Sequence, residues 1–148
     1  MEVSRVVAAS PQRAYELVSD LPRMGEWSPE NTGGKWVKGA TGPAVGARFE
    51  GSNRLGKRKW STICTVTTAT PGQEFAFDVT AMGMKVAGWG FIIAPADGGA
   101  MITHWWDDHR NPLIAKLTGL ALGVKDRSVH NTANMEQTLE RLAAAVAA

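Results

Sequence analysis

The 148 residues predict an α+β fold: a curved, seven-stranded antiparallel sheet wrapped round a long carboxy-terminal helix, with two short helices between strands one and two. Three observations carry this expectation. From residue 33 to 109 the hydrophobic period is two, the period of a strand with one buried face. Glycine and proline clusters cut that stretch into six segments. After Asn111-Pro112 the apolar residues return at helical spacing. A chain of this length is about one domain, so a single domain over 1–148 is expected, able to fold without staples.

The elements follow in order. Val3, Arg5 and Val7 alternate with Ser4 and Val6 as the first strand, which ends at Ser10-Pro11. A capping serine followed by proline at the first helical position opens a helix. Tyr15, Leu17 and Val18 give that helix its apolar stripe, Asp20-Leu21-Pro22 ends it, and a second short helical turn runs through Met24 to Trp27 before Ser28-Pro29. Six strands are expected at 33–40, 46–54, 57–69, 73–81, 85–95 and 100–108, separated by Thr41-Gly42-Pro43, Leu55-Gly56, Pro71-Gly72, Met82-Gly83 and Asp97-Gly98-Gly99. Asp97-Gly98 is a hairpin signal, because the turn needs positive φ. Leu113, Ile114, Leu117 and Leu120, then Val129, Thr132, Met135, Leu139, Leu142 and Val146, mark a long terminal helix with a kink near Gly123.

Six tryptophans against one tyrosine and one cysteine set the character of the interior. Trp36, Trp60, Trp89, Trp105 and Trp106 fall on strand-like segments and Trp27 in a loop. Each can bury roughly 150–250 Å². They either line a concave sheet around something apolar or fill a core. The lone Cys64 excludes an intramolecular disulfide and fits a reducing compartment, so a cytoplasmic protein is expected. The start, Met1-Glu2-Val3-Ser4-Arg5, shows no export signal. The longest apolar stretch, 113–124, contains Lys116 and is shorter than the ~20 residues of a bilayer span. A net charge of +2 provides no overall basic field, so no nucleic-acid partner is expected.

Local motifs agree with this order of elements: Ser10-Pro11 opening the first helix, Trp27-Ser28-Pro29-Glu30 after the second, the run Gly46-Ala47-Arg48-Phe49-Glu50-Gly51-Ser52-Asn53-Arg54, and Pro71-Gly72 leading into Phe75-Ala76-Phe77. With them the whole chain resembles the helix-grip fold of the START-like (SRPBCC) superfamily, in its bacterial polyketide cyclase/dehydrase and lipid-transport branch. The resemblance implies a deep apolar cavity between the sheet and the last helix. It does not choose a chemistry, because lipid carriers, hormone sensors, cyclases and ring-hydroxylase subunits share the fold.

Alternation then says which side chains face such a cavity. On the strand at 57–69 these are Trp60, Thr62, Cys64 and Val66; on 46–54, Phe49, Gly51 and Asn53. Phe75, Phe77 and Val79 follow on 73–81, Trp89, Phe91 and Ile93 on 85–95, and Ile102, His104 and Trp106 on 100–108. Leu117, Leu120, Val124 and Met135 are the expected helical lid, and Trp27 is placed at the mouth. Glu30 lies either beside Trp27 at the mouth or in solvent.

The polar candidates for chemistry are His104, Asp108 and Asn53. His104 is either satisfied within the fold or a ligand and proton-transfer group. The run from His104 to His109 holds two histidines and two aspartates, yet His104 and Asp108 lie about 13 Å apart on one strand face and Asp107 points to the other. No metal site is expected, and Asp107, Asp108 and Arg110 read as solvated charges at the strand end. Cys64 has no neighbouring base in sequence. No glycine-rich phosphate loop or nucleophile elbow is present, so no cofactor is expected.

Binding of an apolar small molecule of lipid, isoprenoid or polyketide type, as carrier or sensor, asks least of these residues. An aromatase/cyclase-type enzyme needs converging acid and base groups. A protein-interaction module with a collapsed cavity is the third reading. Arg54, Lys57, Arg58 and Lys59 make a basic hairpin tip, either simply solvated or in transient contact with an anionic membrane surface.

Overall fold

The computed structural model of the chain describes residues 1–113, 115–117 and 127–147. Its elements are β1 (Glu2–Val7), α1 (Pro11–Val18), a 3-10 helix (Leu21–Glu26), β2 (Asn31–Val37), β3 (Arg48–Leu55), β4 (Arg58–Thr70), β5 (Glu74–Ala81), β6 (Met84–Ala96), β7 (Gly99–Asp108) and a long helix α2 (Arg127–Ala147). The seven strands form one antiparallel sheet in the order β1-β7-β6-β5-β4-β3-β2, a meander with β1 added at the edge of β7. The kink expected near Gly123 lies outside the described residues, as do Leu120 and Val124.

Local chemistry explains the element ends. Ser10 Oγ accepts the Arg13 N–H at 3.1 Å and Pro11 takes the first helical position, so α1 begins where a capping serine and a donor-less proline both favour it. The second short helix is a 3-10 turn, with the Trp27 N–H bonded to the Met24 carbonyl at 3.2 Å. Pro22 and Gly25 leave too few good helix formers there to sustain an α-helix. The β2–β3 pair depends on Gly34, at φ 146°, where any Cβ would run into the Glu50 carbonyl oxygen.

Three register shifts bend the sheet, between Asn31 and Gly33, Val66 and Thr68, and Val79 and Thr80. Each extra residue kinks its strand and raises the local twist, which curves the sheet toward α2. The core lies in that hollow: Phe75, Phe91, Ile102, Met135, Leu139 and Leu142 are fully buried. On α1, Tyr15 closes one end, edge-on to Phe75 at 6.3 Å. α2 lies against β1 and β7, and among the described residues no helix is long and apolar enough to cross a membrane.

The tryptophans divide among three environments. Trp60, Trp89 and Trp106 line a cavity; Trp27 is fully buried, with Trp36 half-buried and edge-on to Phe49 at 5.3 Å. Trp105 lies on the outer face of the sheet, its ring so close over Gly90 that a Cβ there would collide with it. Both readings of the indoles, cavity wall and core filler, therefore hold for different residues.

Candidate functional site

Between the inner face of the sheet and α2 is a cavity of about 450 Å³. Alternation along the strands builds its wall: Trp60, Thr62 and Cys64 from β4, Phe77 and Val79 from β5, Trp89 and Phe91 from β6, His104 and Trp106 from β7. Cross-strand register sets the aromatic contacts. Phe91 faces His104 and the two rings stack at 3.9 Å between centroids, while Trp89 faces Trp106 at 6.0 Å. Helix α2 closes the space with Asn131, Met135 and Thr138, whose spacing of four and three puts them on one face.

The polar groups in this wall differ in how they are satisfied. Asn53 Nδ2 donates to Thr62 Oγ1 at 3.2 Å, and Thr138 Oγ1 donates to the Asn134 carbonyl at 2.8 Å. His104 Nδ1 lies 2.9 Å from the Gly90 carbonyl oxygen. A carbonyl only accepts, so Nδ1 carries the hydrogen and Nε2 is an acceptor on the neutral ring. Burial pushes the His104 pKa down to about 4, against the opposing pull of that carbonyl. Burial likewise pushes the Cys64 thiol up to about 12, outweighing a hydrogen bond with Thr62, so the sulfur stays protonated and is no nucleophile.

Among the described residues of the wall, charge enters in pairs. Arg110 is bidentate on Asp108, with Nε to Oδ1 at 2.9 Å and Nη2 to Oδ2 at 2.8 Å. That guanidinium holds the Asp108 carboxyl below its usual range. Arg127 is bidentate on Glu30 at 2.7 and 3.1 Å, and Asn134 Nδ2 donates to the same carboxylate at 3.1 Å. His130 Nε2 sits 3.3 Å from Glu30 Oε2 but off the hydrogen-bonding line, so that contact is attractive only when the ring is charged. Among the described residues no three His, Cys, Asp or Glu side chains come together to hold a metal ion.

The expected cavity residues are placed as follows. Asn53, Trp60, Thr62, Cys64, Phe77, Trp89, Phe91, His104, Trp106 and Met135 all line the cavity. Trp27 and Phe49 do not: each is packed into the core at 1% exposure, Trp27 beneath the Arg23 guanidinium and Phe49 against Trp36. Leu117 is 56% exposed and not in the wall, and Leu120 lies outside the described residues. Asp108 is not in the wall either, but clamps Arg110, which is. Glu30 is no solvated loop carboxylate, and Arg110 no solvated strand-end charge, because each is largely buried in an ion pair.

Asn131 was not anticipated. It precedes Met135 by four residues, so a polar residue in the apolar stripe of the last helix was the available signal. The pairing of Glu30 with Arg127 spans 97 residues of sequence and has no local signature.

A curved antiparallel sheet gripping a long helix above an aromatic-walled cavity is the helix-grip architecture of the START-like, or SRPBCC, superfamily. Within it the chain belongs to the polyketide cyclase/dehydrase and lipid transport family, whose sequence profile matches residues 1–147. A polyketide-cyclase-like protein from Corynebacterium glutamicum, solved in solution, is 33% identical over 97% of this chain and 80% of its own, with a TM-score of 0.54. A Chromobacterium violaceum protein is 17% identical over 99% of this chain and 96% of its own, TM-score 0.72. The di-domain ARO/CYC StfQ of the steffimycin biosynthetic pathway is 14% identical over 99% of this chain and 49% of that chain, TM-score 0.76. These last two are alike in fold alone. No curated protein matches the chain.

Proposed function

We propose that this protein binds an apolar small molecule between the sheet and α2, as a carrier or sensor. The observation that carries the reading is the cavity itself, about 450 Å³ with Trp60, Phe77, Trp89, Phe91 and Trp106 in its wall. That volume and an apolar lining with a few placed polar groups are the properties of small-molecule sites. An aromatase/cyclase-type reaction would need a proton donor and acceptor converging on the substrate. Here His104 is a weak base with a pKa near 4, and Asp108 is engaged by Arg110, so the residues favour binding.

The cavity reaches the surface beside the β5–β6 turn, where Ala81 and Met82 line it and Met82 is 87% exposed. Antiparallel order puts the β3–β4 turn at the same end of the sheet, with Arg54, Lys57, Arg58 and Lys59 all exposed. Transient docking of this rim on an anionic membrane would let an apolar ligand pass without crossing water.

Filling the cavity tests the first claim. Thr62→Trp and Ala81→Trp place an indole in the wall, and each is expected to lower uptake of an apolar fluorescent probe at least about 10-fold while the far-ultraviolet circular dichroism is unchanged. Full uptake by both folded variants would sink the assignment.

A further inference from the structure

Given the cavity as a binding site, as proposed above, its polar groups restrict the chemistry of its occupant. His104 is held from two sides, through Nδ1 on the Gly90 carbonyl at 2.9 Å and by stacking on Phe91 at 3.9 Å. Its ring lines the cavity at 5% exposure, and Nε2 has no hydrogen-bond partner among the described residues. Asn131, 3% exposed and also in the wall, has a side-chain amide with no partner among them either. Neither group is sealed in packed protein, as the unpaired Trp27 Nε1 and His130 Nε2 are; both open on the cavity, where an acceptor and an amide can meet a hydrogen-bonding group.

The charged groups narrow the class further. Glu30, Arg110 and Arg127 are the charged side chains in the described wall, and both guanidinium groups already grip carboxylates through two hydrogen bonds. No cation is left in the described wall for an anionic ligand, whose desolvation would go uncompensated. Aromatic rings on three adjacent strands, with Phe77, Trp89, Phe91 and Trp106 among them, offer flat surfaces to a ring system.

We propose that the cavity selects a neutral, ring-containing alcohol or phenol, which donates its O–H to His104 Nε2 with the Asn131 amide as a second polar contact, and discriminates against the corresponding carboxylate. Three naphthalenes of one shape test this: 2-naphthol, 2-methylnaphthalene and 2-naphthoate, titrated against the full chain near neutral pH by tryptophan fluorescence and calorimetry. The hydroxyl compound is expected to bind about 10-fold tighter than its methyl isostere, the usual effect of one satisfied buried hydrogen bond. The carboxylate is expected to bind more weakly than either.

His104→Phe keeps the stacking ring and removes the acceptor. It is expected to erase the hydroxyl preference, read as the ratio of 2-naphthol to 2-methylnaphthalene affinity in the same variant. Asn131→Leu, which changes a different element, should reduce the same preference and guards against a folding defect at His104. Equal affinity of naphthol and methylnaphthalene for the unaltered protein, as when water alone serves Nε2, overturns the selection and leaves the cavity reading standing. Tightest binding of naphthoate, or a hydroxyl preference that survives His104→Phe, also overturns it. Binding of none of the three removes the cavity reading and the selection with it.

Discussion

At position 104 the register of β7 turns a titratable ring inward, between Phe91 and Trp89, where charge is expensive. The backbone offers Gly90 O to only one ring nitrogen, and the folded His104 pKa falls to about 4 from an ordinary 6.5. Below pH 6.5 the unfolded chain takes up this proton while the native protein refuses it until the pH approaches 4. Stability from the neutral ring is therefore fully present above pH 6.5 and is lost as the pH falls toward 4, on the order of 3 kcal/mol in all. Denaturant unfolding at pH 7, 6 and 5 is expected to show a falling midpoint in the unaltered protein and a flatter one in His104→Phe, whose carboxylates act only at lower pH. Parallel slopes for the two proteins would mean that the ring is hydrated or charged in the native state. Cys64 is the companion case, since burial keeps its thiol neutral too, and these two side chains add no charge to the cavity at neutral pH.

Among the elements, α2 is attached to the rest of the molecule in two ways. Its apolar stripe through Met135, Leu139 and Leu142 enters the core, and its amino-terminal part is pinned to Glu30, in the segment before β2, by Arg127 and, about two turns on, by Asn134. Removing one partner of a largely buried pair leaves the other charge uncompensated, whereas removing both does not. Glu30→Leu and Arg127→Leu are each expected to cost on the order of 2 kcal/mol, and the double variant less than the sum. Strict additivity in thermal or denaturant unfolding would show that the pair is solvated in solution. This latch also marks the limit of what could be read from sequence. The seven strands in their succession along the chain, α1 with its Ser10 cap and the inward set on β4 to β7 were all legible, because period-two alternation and turn glycines are local signals. Three placements were not. Phe49 faces inward in pattern and Trp27 is placed at the mouth by its loop, but Phe49 packs against Trp36, Trp27 lies beneath Arg23, and both are buried in the core, away from the cavity. The Glu30–Arg127 pair depends on chain segments meeting in space, which no periodicity records.

Across the whole molecule the net charge of +2 conceals an uneven distribution. Four exposed cations, Arg54, Lys57, Arg58 and Lys59, gather where β3 turns into β4, at the sheet end that also bears Met82 and the surface of the cavity. Exposed Leu113, just beyond β7, is on the chain leaving the same end. Cations flanking exposed apolar side chains match an anionic bilayer, where headgroups attract the first and the interface accepts the second. Placing the ligand route at the docking surface would couple the two functions geometrically. Co-sedimentation with phosphatidylcholine vesicles, with and without phosphatidylglycerol, measures this directly. The anionic vesicles are expected to bind the protein, with affinity falling about 5-fold for each of Lys57→Gln and Arg58→Gln, the effect of about 1 kcal/mol per cation near the surface. High salt should act in the same direction, while Met82→Asn should weaken the part of the binding that salt leaves intact. Retention of full binding by the Lys57→Gln, Arg58→Gln double variant, or equal binding to both vesicle types, would separate the basic hairpin from any membrane role and return it to a solvated turn that keeps the sheet from pairing edge to edge.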